Sequence, residues 1–344
     1  MVVMKKIIYL FVLSIVLFFT GCASNKSESL SLEDRISDCL EIDGNIIKYT
    51  NDIVVIPAGE TKIVKHQWGM PDYRGKGSFY WNTKELKAYA LGQYEVTQEF
   101  YEAVMKVNPS AVKDTNPKFA KMFEGEESKY RPVDSVTFNH IMVFCNRLSK
   151  MMGLEPCYKI LFFGKEVDWE NITYEEIPYH DGEWGVVTCD YDKNGYRLPT
   201  NEEWEYAARG GYGSRSWTYS YAGVNTQKSE ASFSERPYEE ENLEKYGWFW
   251  DNITVKEKTF DFSKKSERKG YGSHQVGLKK PNSLGFYDMS GNICEYAGGP
   301  ERKELTQRGG GWNSYAFGCS VSNIEKCGII YAEDFGFRIC RTLK

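Results

Sequence analysis

Histidine is scarce in this sequence, with four in 344 residues. They stand at 66, 140, 180 and 274, with no pair at helical spacing beside a carboxylate, so a histidine-rich catalytic metal site is excluded. The nine cysteines (22, 39, 145, 157, 189, 294, 319, 327 and 340) are scattered singly, without one Cys-x-x-Cys pair. That spacing excludes a zinc ribbon and a small disulfide scaffold, and it leaves the connectivity of any disulfides unreadable. Positive charge is not in excess either: 43 Lys and Arg against 48 Asp and Glu give a formal charge of −5. With no basic footprint, nucleic acid is ruled out as a partner. No internal repeat of fixed period is present.

The N-terminus carries an export signal. Lys5 and Lys6 form a short positive region, and Ile7 to Phe19 is an apolar run too short to span a bilayer. The run ends at Phe19-Thr20-Gly21-Cys22, small residues before a cysteine, which resembles the bacterial lipobox. Residues 1–21 are thus expected to be a lipoprotein signal peptide, with Cys22 the acylated N-terminus of the mature chain. Each acyl methylene buried in the bilayer adds about 0.8 kcal/mol of anchoring. An ordinary signal peptide or an uncleaved anchor, with an incidental cysteine, is the competing reading. Residues 22–37, rich in Ser, Asn, Glu and Lys, have too little apolar content to fold and read as a flexible tether. One folded domain is expected over 38–344.

Three segments in that domain have helix punctuation. One starts at the N-cap Thr97, sets Phe100 and Val104 on one face and stops before Asn108-Pro109. A second starts at Thr137, aligns Ile141, Cys145 and Leu148, and ends by Gly153. A third has a capping box, Thr200-x-x-Glu203, closed by Gly210. Short alternating stretches such as Ile53-Val-Val-Ile-Pro and Gly336-Phe-Arg-Ile-Cys read as strands. With 15% aromatic residues and 31 glycines, the core is expected to be aromatic side chains packed on irregular loops. Residues 228–270, dense in Glu and Lys, read as a charged surface insertion.

The order of motifs resembles one known family. Val54-Val-Ile-Pro-Ala-Gly-Glu-Thr, Leu91-Gly-Gln-Tyr-Glu-Val-Thr-Gln-Glu-Phe-Tyr, Arg131-Pro-Val-Asp-Ser-Val-Thr-Phe, Tyr196-Arg-Leu-Pro-Thr-Asn-Glu-Glu-Trp-Glu-Tyr-Ala-Ala-Arg-Gly-Gly, Val276-Gly-Leu-Lys-Lys-Pro-Asn-Ser-Leu-Gly-Phe-Tyr-Asp-Met-Ser-Gly-Asn, Arg308-Gly-Gly-Gly-Trp-Asn and Gly336-Phe-Arg-Ile look like successive blocks of the formylglycine-generating enzyme, or sulfatase-modifying factor, family. The resemblance implies an α+β fold, the family's variant of the C-type lectin fold, with low regular secondary structure, a few short helices and small antiparallel sheets.

Fold does not fix activity, which resides in the site. The family's oxidases bind copper with two cysteines and oxidise a substrate cysteine, chemistry suited to a soft dithiolate. Carried over, those two positions are Ser314 and Cys319. A serine hydroxyl is a poor Cu(I) ligand, so copper is not expected. The family's active-site tryptophan is Cys294, its serine after the Gly-Gly pair is Gly311, and the residues flanking the second cysteine are Gly318 and Ser320. The ergothioneine-type iron relatives need a helical histidine domain that four dispersed histidines do not supply. One family site is retained in residue type: the resemblance puts a structural calcium on the Asp288 and Glu295 side chains and the Gly291 and Ile293 carbonyls, a hard oxygen set. An Asx-turn with a solvated glutamate is the plainer reading of the same residues.

The last block also resembles the variable region of diversity-generating-retroelement proteins, which use a lectin-type fold to display a varied binding surface. Gly309, Gly310, Trp312, Ala316, Cys319, Ser322, Asn323, Gly336, Phe337 and Arg338 match the frame. Between them Asn313, Ser314, Tyr315, Phe317, Ile324, Glu325, Lys326, Ile329 and Ile330 follow neither strand nor helix periodicity. They read as a ligand-binding face, in which Tyr and Phe give contact area at low entropic cost, or as divergent loop residues with the large apolar groups buried. The expectation is a lipid-anchored protein of the bacterial cell envelope, at the outer membrane or cell surface. It would be non-catalytic and bind a protein or glycan through this face. The competing expectation is an oxidoreductase acting through Cys319 with Cys294 or Cys327.

Overall fold

The structure, a computed structural model, describes residues 35–37, 41–42, 45–46, 52–56, 58–64, 81–113, 123, 125–179, 185–211, 214, 221–224, 242–253, 272–299, 305–326 and 332–343. Its strands in chain order are β1 (Arg35–Ser37), β2 (Glu41–Ile42), β3 (Asn45–Ile46), β4 (Asp52–Ile56), β5 (Gly59–Val64), β6 (Trp81–Leu86), β7 (Tyr89–Gly92) and β8 (Tyr158–Phe162). They continue with β9 (Lys165–Glu166), β10 (Val186–Cys189), β11 (Tyr196–Arg197), β12 (Cys294–Gly298), β13 (Leu305–Arg308), β14 (Glu325–Lys326), β15 (Phe335–Gly336) and β16 (Cys340–Thr342). A five-stranded sheet in the order β1-β4-β7-β16-β11 holds the first and last of the described strands, and within it Arg35–Ser37 pair with Asp52–Val54, so the described chain begins inside the segment expected to be a tether. A second sheet, β14-β13-β12-β15, carries the C-terminal loop, and a third, β10-β8-β9, stands apart from both. Segments 38–40 and 43–44, the signal peptide and Cys22 lie outside the described residues.

The three α-helices among the described residues form where local capping dictates. In α1 (Gln98–Met105) the Thr97 hydroxyl accepts from the Phe100 amide, and Lys106 ends the helix in the left-handed region at φ 64°. In α2 (Phe138–Met151) Thr137 caps the amide of His140. The stripe of Ile141, Cys145 and Leu148 is buried, but so are Phe138, Met142, Val143 and Phe144. The helix is enclosed on nearly every side because it packs against α1, β8 and β11 together. In α3 (Asn201–Ala208) the capping box is complete: the Thr200 hydroxyl accepts from the Glu203 amide, and Glu203 accepts from the Thr200 amide at 2.8 Å. The same carboxylate receives both Arg197 Nη1 and Nη2 at 2.7 Å, so one residue caps a helix and neutralises a buried cation.

The core is aromatic. Tyr101 stacks on Phe144 at 5.2 Å, and Phe337 meets Phe144 edge-on at the same separation. This cluster lies between α1, α2 and the C-terminal strands, while a second, around Trp204, Phe286 and Met289, fills the space under α3. The segment read as a charged surface insertion is described only over 242–253, and there it departs from that reading. Leu243, Phe249 and Ile253 are buried, and Leu243 and Phe249 build a third cluster with Cys319. Glu244 and Lys245 do face solvent. The charge density along the chain masked an apolar side with its own spacing.

Candidate functional site

The C-terminal loop is held at both ends by buried arginines. At its start Arg308, on β13, donates from Nη2 to Glu205 Oε2 at 3.1 Å and to the Val321 carbonyl at 2.7 Å, and its guanidinium lies over the Trp204 ring. Glu205 also receives Arg209 at 2.8 Å. At its end Arg338 donates to Glu295 through Nε (2.7 Å) and Nη2 (2.5 Å), and its remaining donors reach the carbonyls of Gly92, Gln93 and Tyr287. Trp204 Nε1 donates to the same Glu295 at 2.8 Å. Both pairs are sealed from water. Breaking a pair of this kind by removing one partner costs about 3–5 kcal/mol, because the other charge is left buried and uncompensated.

Between the anchors the chain makes one close turn. Gly309 and Gly310 have φ of 78° and 63°, and a Cβ on Gly310 would sit 2.8 Å from the Gly318 carbonyl and 3.0 Å from Cys319 Sγ. Only glycine fits both the conformation and the approach. Trp312 turns inward, with its amide on the Asn292 carbonyl and its indole on that of Glu333. The loop then faces outward. Asn313 is exposed and its side chain neighbours the Asp334 carboxyl, and Ser314 accepts the Gly311 amide on its hydroxyl at 3.0 Å. Tyr315 and Phe317 are half-buried and stack on each other at 5.9 Å, so they are neither core residues nor fully solvated. A short 3-10 turn, Ala316–Cys319, returns the chain to the interior. Ile324 is half-buried, Glu325 is exposed, and the Lys326 backbone pairs with Thr306. Ile329, Ile330 and Cys327 lie outside the described residues.

A residue absent from the sequence reading completes this surface. Trp250 donates its amide to the Ser314 carbonyl at 2.9 Å and its ring lies 5.6 Å from that of Tyr315. The available signal was the aromatic run Trp248-Phe249-Trp250, embedded in charged sequence. The face therefore draws on two segments: Trp250 from one, Asn313, Tyr315 and Phe317 from the other.

The two positions carried over from the family's copper site hold a buried thiol and a hydroxyl. Cys319 is fully buried against Gly310 in a cluster with Tyr221, Val224, Leu243, Phe249 and Ala316, and burial pushes its thiol well above the usual range. Soft-metal ligation and nucleophilic attack both need the thiolate, which this environment disfavours. The partner position is the Ser314 hydroxyl, already engaged by the Gly311 amide. Cys294 packs in a different cluster, with its thiol directed at the Arg308 carbonyl at 3.4 Å.

The calcium set fits unevenly. Asp288 is buried at φ 56° with Oδ2 on the Gly277 amide, while Oδ1 is enclosed without a hydrogen-bond partner. Burial pushes its carboxyl up to about 6. An anionic oxygen without a partner is what a hard cation would satisfy. Gly291 and Ile293 follow in a tight backbone turn, where Asn292 bridges Glu95 and His274. Glu295 is the weak member, since both its oxygens are already held by Arg338 and Trp204. It is not a solvated glutamate, as the Asx-turn reading required, but a buried counter-ion.

Comparisons with known proteins bear on the family and the fold. The family model described as "Sulfatase-modifying factor enzyme 1-like domain" matches residues 42–343. "Chaperone protein LppX" of Paenibacillus barcinonensis is 33% identical over 294 residues, 83% of this chain and 84% of that protein. Among solved structures, "Treponema denticola variable protein 1" superposes with a TM-score of 0.64 at 27% identity, covering 86% of this chain and 98% of that one. CarF gives 0.55 at 23% identity over 85% of this chain and 98% of its own. PvdO from Pseudomonas aeruginosa gives 0.52 at 19% over 86% and 96%. The last two bear on the fold alone, which is the expected α+β lectin-type variant with few helices and small sheets.

Proposed function

This chain belongs to the sulfatase-modifying factor enzyme 1-like family, and from that premise we propose that it is a lipid-anchored binding protein of the cell envelope, non-catalytic, that holds a protein ligand on the face of Trp250, Asn313, Tyr315 and Phe317. The observation that carries this reading is the contrast within one loop: Cys319, the retained oxidase residue, is sealed in an apolar cluster, while Asn313 is exposed and two aromatic rings are half-exposed beside it. Half-exposed aromatics on a rigidly anchored loop are efficient contact residues, because little side-chain entropy remains to be lost on binding. A protein ligand is favoured over a glycan because a relative covering most of the chain carries the name of a chaperone protein. Similarity to a variable protein supports the same loop as the display surface.

Binding is read directly by aggregation suppression. The wild-type chain should slow aggregation of a chemically denatured client protein, and a Tyr315→Ala/Phe317→Ala double substitution should weaken this about tenfold, the effect of losing about 1.4 kcal/mol at a contact hot spot. Equal activity of wild type and variant, or binding confined to a glycan array, would reject the protein-binding reading.

Anchoring rests on Cys22 and the apolar run before it. Metabolic labelling with a fatty acid should mark the wild-type chain and fail in Cys22→Ser; labelling of both would place any acyl group elsewhere.

Calcium is proposed as a structural ion on Asp288 and the Gly291 and Ile293 carbonyls, with Glu295 offering only what Arg338 leaves free. Added calcium should raise Tm in the wild type and not in Asp288→Ala. A flat calcium response in the wild type would leave the Asp288 oxygen to be satisfied by a proton instead.

A further inference from the structure

The aromatic face is bordered by carboxylates from every segment that surrounds it. Glu325, on β14, is exposed, and its Oε1 accepts from Asn323 Nδ2 at 3.1 Å. The same nitrogen donates to the carbonyl of Gly318, the residue after Phe317. Asp334 approaches on the returning chain: its Cβ lies 3.4 Å from where a Cβ on Gly311 would stand, and its carboxyl neighbours Asn313. Glu333 is exposed beside it, with its carbonyl on the Trp312 indole. Asp251 is exposed, directly follows Trp250, and its charge reaches the Cys319 thiol.

The two arginines that anchor the loop lend this surface no free charge, because each is buried against a glutamate. Lys279, packed over the neighbouring Trp248 ring, donates to the Glu244 carbonyl. Burial pushes the Asp334 carboxyl up, and Glu333 adds like charge to it. A cation held at that edge would offset both effects. The rings ask for the same group. Trp250 and Tyr315 are set at 56° with centroids 5.6 Å apart, and Phe317 stacks 5.9 Å from Tyr315. Aromatic faces attract an ammonium or guanidinium through the ring quadrupole, most strongly at Trp. Nearby carboxylates add charge-assisted hydrogen bonds to that cation. An acidic segment would be repelled here, and a neutral apolar one would desolvate the carboxylates without pairing them.

We propose that the ligand of this face is a cationic polypeptide segment, whose Lys and Arg side chains lie on the Trp250, Tyr315 and Phe317 rings and end at the bordering carboxylates. This rests on the reading of the loop as a binding surface and adds the charge of its partner. Arginine serves better than lysine, since its planar guanidinium stacks on a ring while its donors reach a carboxylate. Complementarity of this kind acts on specificity and association rate, and salt screens it.

The test titrates the full chain with three labelled, unstructured peptides of equal length, followed by fluorescence anisotropy. One is rich in Arg and Lys, one in Asp and Glu, and one is uncharged and aromatic. The cationic peptide should bind about tenfold tighter than either of the others, and that preference should vanish near 1 M salt, where the Debye length is about 3 Å. Glu325→Gln/Glu333→Gln changes two exposed positions and should weaken the cationic peptide about fivefold. Glu166→Gln/Glu175→Gln removes the same charge from exposed positions outside this face and should leave binding unchanged. Equal weakening by the two variants, or equal binding of the uncharged peptide, would overturn the proposal. So would failure of all three peptides to bind. In that case client aggregation separates the causes: suppression that still depends on Tyr315 and Phe317 means the partner's charge alone is misassigned, and its absence removes the binding reading as well.

Discussion

The C-terminal loop leaves its sheet at Arg308 and rejoins the fold at Arg338, and each arginine is buried against a glutamate from another element. Those two contacts constrain much of the rest. Arg338 ties the end of β7, the Tyr287 turn and β12 into one node, with Trp204 of α3 joining it on the same glutamate. Arg308 ties the loop's first residue to α3 through Glu205, which is shared with Arg209. A buried charge without its partner is far more costly than the pair is stabilising. The register of four separated sequence blocks is therefore fixed together, and the residues between the anchors can differ without moving the frame.

That constraint lets the outward residues of the loop differ on one unchanged frame. The loop's conformation depends on Gly309, Gly310 and the inward Trp312, none of which contributes a reactive group. What it presents outward is set by a few positions around Asn313 to Phe317. In this chain those positions hold an amide and two half-buried rings beside Trp250, while the sulfur that an oxidase would use packs among apolar side chains. Placing a thiol in such a cluster favours its neutral form, the reverse of what metal ligation or nucleophilic attack requires.

Much of the frame was legible in the residues because it is encoded locally. The caps at Thr97, Thr137 and Thr200 act over three residues, and each helix starts where its cap indicates. The glycines at 309 and 310 mark backbone conformations that other residues avoid. What escaped reading was long-range. Nothing near Glu295 in sequence announces that Arg338 and Trp204 converge on it, so its residue type suggested an ion ligand where the fold has a buried counter-ion. Trp250 was hidden for a similar reason: its place beside Tyr315 depends on a backbone bond across 64 positions of chain, from the Trp250 amide to the Ser314 carbonyl. In the same segment charge density concealed Leu243 and Phe249, since hydropathy averaged along a chain misses an apolar side whose polar neighbours face water.

Inertness of the sealed Cys319 thiol is what separates a binding protein from an oxidase here. Incubating the purified chain with Cu(I), oxygen and a peptide bearing the sulfatase cysteine, and following the peptide by mass spectrometry, addresses this directly. A protein that only binds yields no formylglycine and shows no difference between wild type and Cys319→Ser. Formylglycine produced by the wild type and abolished in Cys319→Ser would contradict it.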